Sequence, residues 1–212
     1  MKALPALAFF ALFFVLPLAA IAQVSFTPGL LSQGESPLTV FRDPAYLRVL
    51  GFSAYQATLS TVLTLLAGLP AAYAFARFRF AGHALWRALA TVPFVMPTVV
   101  VAAAFTALLG PRGALNIALT GLLGREQPLQ LTGTLGVILL AHVFFNVSVV
   151  IRIVGAFFAS SDPLIDEAAQ VDGAGLWAHI WRITLPLALP SVAAASALIF
   201  LFTFTSFGVI LL

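Results

Sequence analysis

Few side chains in this sequence can do acid–base or metal chemistry, and their placement argues against both. The seven acids, Glu35, Asp43, Glu126, Asp162, Asp166, Glu167 and Asp172, all fall in polar stretches between long apolar runs. Cysteine is absent, so no thiolate ligand, disulfide or cysteine nucleophile is available. His142 lies inside an apolar run with no carboxylate or second histidine beside it, which denies it the partners of a catalytic or metal cluster. Asn146 is four residues on and shares its helical face, so the chemistry open to this pair is hydrogen bonding, either between helices or along a polar route. Thr205 and Ser206, with Thr203, place uncharged polar groups near the end of the last apolar run. No GxxxxGK[ST] phosphate loop occurs, and ATP binding by this chain is not expected. A non-catalytic chain with no cofactor and no metal is the expectation.

The composition explains why titratable groups are so sparse. Over 212 residues, 62% are hydrophobic and 8% are charged, and the mean hydropathy is +1.10. A soluble domain carries about 25% charged residues, and a chain of this size could not cover so much apolar surface with so few polar groups. An all-α integral membrane protein follows. The formal charge of +3 is therefore no sign of nucleic acid. Membrane lipid is the expected surround.

Five segments are long and apolar enough to span a bilayer: about 3–24, 57–76, 88–109, 131–151 and 187–212. Each should be a helix, since isolated strands leave backbone groups unsatisfied in lipid. The first segment also resembles a cleavable signal peptide, with Lys2, an apolar run and Ala20-Ile21-Ala22 before Gln23. Its run from Ala3 to Ala22 exceeds the usual hydrophobic core of roughly 7 to 15 residues, which favours an uncleaved first helix. Residues 25–56 read as an external loop in which Asp43-Pro44 starts a short interfacial helix carrying Tyr46, Leu47 and Leu50. Arg77, Arg79, His83 and Arg87 crowd the link between the second and third spans, as the positive-inside rule expects of a cytoplasmic loop. With Lys2, Arg152 and Arg182 counted on the same side, the N-terminus is expected inside and 152–186 in the cytoplasm. Segment 110–130 is then external, its apolar middle, 113–123, lying in or dipping into the interface. Pro93 and Pro97 should kink the third span, and Ser191, Ala194, Ala195 and Ala197 form a small-residue packing patch on the fifth.

In the long cytoplasmic stretch, Ser161-Asp162-Pro163 is a helix-start signal, followed by Asp166 and Glu167 in the first turns. A helix over 163–172 is predicted, stopped by Gly173 and Gly175. A second short helix over 176–183 carries Leu176, Trp177, Ile180 and Ile183, and Pro186 opens the last span. Ala168 and Ala169 give the first of these helices a small-residue face for close approach of a partner. A plain helix-turn-helix linker would satisfy the same local signals.

The full spacing Glu167-Ala168-Ala169, Gly173, Ile183, Leu185-Pro186 resembles the signature loop of the permease subunits of type I binding-protein-dependent ABC importers, a MetI-like helical bundle. That resemblance implies an ATPase-coupling role for Glu167, Ala168, Ala169, Asp172, Gly173, Ile183, Leu185 and Pro186. It further implies a dimer of ABC ATPase subunits, a second permease half and an extracytoplasmic solute-binding protein as partners, and the bacterial inner membrane as location. Leu139 to Asn146, Gly110-Pro111-Arg112-Gly113 and Thr205-Ser206-Phe207-Gly208 are similar to the thiamine and iron(III) permease group. Relatives in that group carry two such halves, so residues 1–212 read as a single permease domain, an N-terminal half or a fragment that lacks a sixth span and is incomplete at its C-terminus. An ion-coupled secondary carrier or membrane enzyme would call for titratable groups at mid-membrane, and a non-transporting scaffold remains an alternative for a lone half.

Overall fold

A computed structural model describes residues 4–26, 43–173 and 175–206. Among these every regular element is helical: α1 (Leu4–Phe10), a π turn (Ala11–Val15), α2 (Leu16–Phe26), α3 (Pro44–Arg77), α4 (His83–Val95), α5 (Thr98–Leu109), α6 (Ala114–Leu122), α7 (Leu135–Ser160), α8 (Pro163–Val171), α9 (Leu176–His179), a second π turn (Ile180–Thr184) and α10 (Leu185–Phe204). Five stretches are long and apolar enough to cross a membrane: Leu4–Val24, Pro44–Arg77, Thr98–Leu122, Leu135–Ser160 and Trp177–Phe204. Two compact units divide between Phe52 and Ser53. Of the loop expected at 25–56, residues 27–42 lie outside the described residues, as do residue 3 of the first predicted span and 207–212 of the last, Phe207 and Gly208 among them.

Three boundaries differ from those predicted, each for a local reason. Asp43 does cap a helix, its Oδ1 accepting from the Ala45 amide at 2.8 Å. That helix is the start of α3 rather than a short interfacial piece. Neither Gly51, Gly68 nor Pro70 ends it, so α3 runs 34 residues, about 50 Å at 1.5 Å per residue. The predicted third span is broken, not kinked. Pro97 biases Met96 to an extended backbone (ψ 138°), which separates α4 from α5. At the other end, α7 continues to Ser160, which moves Arg152 from the predicted loop into a helix, where its guanidinium lies 5.9 Å from the centre of the Phe94 ring.

The last span begins at Trp177, not 187, because Pro186 does not interrupt the helix. A proline has no N–H and its ring crowds the carbonyl four residues back, here Arg182. That carbonyl belongs to the π turn at Ile180–Thr184, whose wider ring makes room for it. The first π turn stands in the same relation to Pro17.

Lipid is as apolar as a leucine side chain, so close packing and hydrogen bonds must hold such a bundle together. Within Ser53–Ser206, α7 is the most enclosed span. Its Val149, Val150, Val154 and Phe158 pack with Ala72 of α3 and Ala188, Ala195 and Ile199 of α10. Nearer its start, Val137, Ile138 and Ala141 meet Leu109 of α5, and Phe144 meets Phe105 edge-on at 5.7 Å. Of the small-residue patch on α10, Ala195 is buried, whereas Ala194 and Ala197 are exposed.

Asn116, the fully buried residue of α6, closes the connection at 110–130. Its amide donates to the carbonyls of Leu109 (3.0 Å) and Leu129 (2.8 Å), while its Oδ1 accepts from the Leu129 amide (3.0 Å) and Thr120 Oγ1 (3.1 Å). Truncation to alanine strands several of these groups at once. Asn116→Ala is expected to lower the stability of the detergent-solubilised chain by about 2–3 kcal/mol, read as a drop in its thermal midpoint; an unchanged midpoint would show that water replaces the side chain.

Candidate functional site

Two sets of polar residues emerge from this bundle, one exposed at an end and one enclosed within it. The exposed set begins where α7 stops. Ser161 Oγ donates to the Phe157 carbonyl at 3.1 Å, and Asp162 Oδ1 accepts from the Leu164 amide at 2.9 Å, the N-cap bond that starts α8. Gly173, at φ +72°, turns the chain out of α8 through the left-handed region. The chain re-enters a helix at once, with the His179 amide bonded to the Gly175 carbonyl at 2.9 Å.

The roll of α8 sorts the motif residues into two groups. Leu164, Ala168 and Val171, spaced four and three residues apart, lie on one exposed face, and Glu167, Asp172 and Gly173 are exposed too. Ala169 is not on that face: it is 5% exposed, on the side shared with Ile165 four residues earlier. Its small size therefore seats α8 on the protein, and only Ala168 of the pair is open to a partner. Ile165 lines a shallow cleft with Phe157, Ile183 and Leu187. Leu185 lines an adjoining apolar groove with Leu69, Tyr73 and Phe158. Ile183 and Leu185 are half-buried and Pro186 is exposed. Glu167, Ala168, Asp172 and Gly173 are thus on the exposed surface, while Ala169, Ile183 and Leu185 lie toward the protein. Arg77 lies in the same cleft as Ser161 and Asp162, so the arginine-rich link and the α8 loop share one end of the bundle.

The enclosed set is a seam across three helices. His142 Nδ1 is 3.0 Å from Ser60 Oγ of α3, and Asn146 Nδ2 donates to the His142 carbonyl at 2.9 Å. Gln56 Nε2 donates to the Thr203 carbonyl of α10 at 3.0 Å. His142 is 2% and Asn146 4% exposed, so both face the interior of this one chain. Gln56 Oε1, Thr64 Oγ1 and His142 Nε2 have no hydrogen-bond partner among the described residues. Thr205 and Ser206 do not join the seam. Thr205 is exposed and its hydroxyl donates to the Leu201 carbonyl at 2.8 Å, while the half-buried Ser206 follows at the helix end. Gln56, Ser60 and Thr64 were not singled out from sequence, although their spacing of four across an apolar helix is a legible signal of one polar face.

No cluster of three or more His, Cys, Asp or Glu able to hold a metal occurs among the described residues. What the arrangement offers is a helical bundle with an exposed helix, α8, at one end. The chain belongs to the family of binding-protein-dependent transport system inner membrane components, whose pattern matches residues 64–212. It is a transport subunit and a multi-pass membrane protein.

Among relatives, it is 32% identical over 171 residues to the thiamine transport system permease protein ThiP of Brucella abortus, covering 80% of this chain and 31% of that one. It is 28% identical over 169 residues to the molybdenum transport system permease protein ModB of Escherichia coli, covering 80% and 72%. The chain therefore spans about a third of the length of the thiamine permeases it matches, the covered share being 31%. In fold it is similar to a bacterial ABC transporter involved in the import of the acidic polysaccharide alginate, with a TM-score of 0.74 at 20% identity over 91% of this chain and 68% of that one.

Proposed function

We propose that residues 1–212 form one permease half of an ABC importer, lining part of a solute path and receiving the stroke of a separate ATPase dimer through α8. The observation that carries this reading is the free face of α8, with Leu164, Ala168 and Val171 exposed beside Glu167 and closed off by Gly173. Apolar side chains on a soluble-facing loop signify a partner surface. The N-terminus and the α8 end lie in the cytoplasm, a reading supported by Arg77, Arg79 and Arg87 at that same end. A second permease half completes the path. An extracytoplasmic binding protein delivers the solute; a related alginate transporter, solved in complex with its alginate-bound periplasmic protein, supports this. His142 ties α7 to α3 through Ser60 rather than lining the route, while the Asn146 amide is satisfied within α7 by the His142 carbonyl.

The solute we propose is thiamine, supported by the 32% identity to ThiP. Molybdate is the second reading, favoured by the longer share, 72%, of ModB that the chain covers. Iron(III), suggested by sequence motifs, draws no support from these relatives. The testing experiment is co-purification in mild detergent with the cognate ATPase, comparing the parent chain with Glu167→Arg/Gly173→Asp. Retention of the ATPase by the parent and its loss from the variant is the expected result; equal retention by both would overturn the docking role. Uptake of labelled thiamine, challenged with excess molybdate, then separates the two solutes.

A further inference from the structure

A groove of about 650 Å³ opens at the α8 end of the bundle, between the end of α3, the start of α4 and α7. Its wall is graded. Arg79 and Arg87 stand at the mouth, and no acidic side chain lines the groove. Deeper, the lining turns to Phe75, Ile151 and the small residues Ala72 and Gly155. Ile151 lies eight residues before Ala159, the last α7 residue in the wall, so the apolar floor extends about 12 Å into the span at 1.5 Å per residue. Gly155 lies against Ala72 of α3, where a Cβ would stand 3.6 Å from the Ala72 carbonyl oxygen, an ordinary contact distance. The mouth is held in shape by His83, whose Nε2 lies 2.9 Å from the Phe75 carbonyl, a geometry in which the ring N–H donates.

We propose that this groove is a binding site for one anionic phospholipid. The phosphate would sit between Arg79 and Arg87, and the upper acyl chain would run down past Phe75 to Ile151. A cationic mouth over an apolar floor, placed where a span meets water, matches the two ends of that molecule and no soluble anion. Basic pockets of this kind between membrane helices hold acidic headgroups; guanidinium groups take phosphate oxygens in a paired geometry, and the ammonium of a zwitterionic headgroup would be repelled by the two arginines where an anionic headgroup brings no positive charge.

The test is native mass spectrometry of the full chain in neutral detergent, after exposure to equal amounts of phosphatidylglycerol and phosphatidylcholine. One retained phosphatidylglycerol is expected, preferred by about tenfold or more, the scale set by two arginines facing one phosphate. Arg79→Ala/Arg87→Ala should abolish the preference, whereas Arg112→Ala/Arg125→Ala, at the other end of α7, should leave it intact. Ala159→Trp keeps both arginines but fills the groove, and it should release the lipid; this variant decides the matter if the double alanine variant does not fold. Equal retention of both lipids, equal loss in both arginine pairs, or unchanged binding in Ala159→Trp would each overturn the site. Displacement of the lipid by excess inorganic phosphate would reassign it as an anion site that does not need the acyl chain.

Discussion

Replacing Gly68 with leucine is expected to abolish accumulation of folded chain in membranes. A Cβ built at Gly68 of α3 would lie 2.7 Å from Val150 Cβ and 2.9 Å from both Val150 methyl groups on α7. Val150 is fully buried within the central packing cluster and cannot swing aside, so the two helices would have to separate. Leucine forces that along the most enclosed span. The gentler Gly68→Ala should still destabilise, by about 1–3 kcal/mol, the usual scale of overpacking. Helix propensity predicts the opposite sign, since alanine exceeds glycine by about 1 kcal/mol in a helix. Val150→Ala in the same chain removes the two methyl contacts at 2.9 Å but keeps the Cβ at 2.7 Å, so it should restore only part of the Gly68→Ala loss, read as a favourable coupling in a double-mutant cycle. Thermal midpoints by fluorescence-detected size exclusion provide the measurement. If Gly68→Ala is as stable as the parent, α3 and α7 are not in this close contact.

A second large effect is expected at Gly173, on transport rather than folding. Its Cβ would meet nothing within 4 Å, so any penalty there comes from the backbone alone. At φ +72° an L side chain costs roughly 1–2 kcal/mol, less for asparagine and more for β-branched residues. Uptake by the assembled transporter should therefore fall in the order Gly, Asn, Ala, Val, with Gly173→Val at least tenfold down, while the chain's own stability barely moves because the loop is exposed. An asparagine variant as poor as valine would place the demand at this position on a partner's surface and not on the turn.

The contrast between these two glycines shows what could be read from the sequence. Gly173 follows a capped helix and precedes a second short one, so its role as a stop is a local property; the helix predicted over 163–172 is found at Pro163–Val171. Gly68 has no local signature. Its importance depends on which residue of α7 lies opposite, and that pairing joins positions 82 residues apart, as does the bond between Ser60 and His142. Asn116 was equally silent, an amide in an apolar run whose partners are backbone groups of other segments. The roll of α8 was beyond reach for a related reason: neighbours on a helix differ by 100°, and only the tertiary packing that buries Ala169 decides whether Ala168 or Ala169 faces out. Boundaries failed where one proline outweighed hydropathy, as at Pro97, or where a proline was absorbed, as at Pro186.

That absorption alters how the last quarter of the chain must be counted. A π turn holds one residue more than an α turn, so the facing of Trp177 and that of Ala195 cannot be related by a single wheel at 3.6 residues per turn. Ahead of Ile180 the helix keeps the phase of the loop; beyond Thr184 it keeps the phase of the bundle. The extra residue is a spacer that lets each surface keep its own setting on one continuous rod. Any chimera that grafts this loop onto the last span of another permease must therefore carry the wide turn and Pro186 as one cassette. Without them the joined span would be rolled by about 100°, presenting its packing face to lipid.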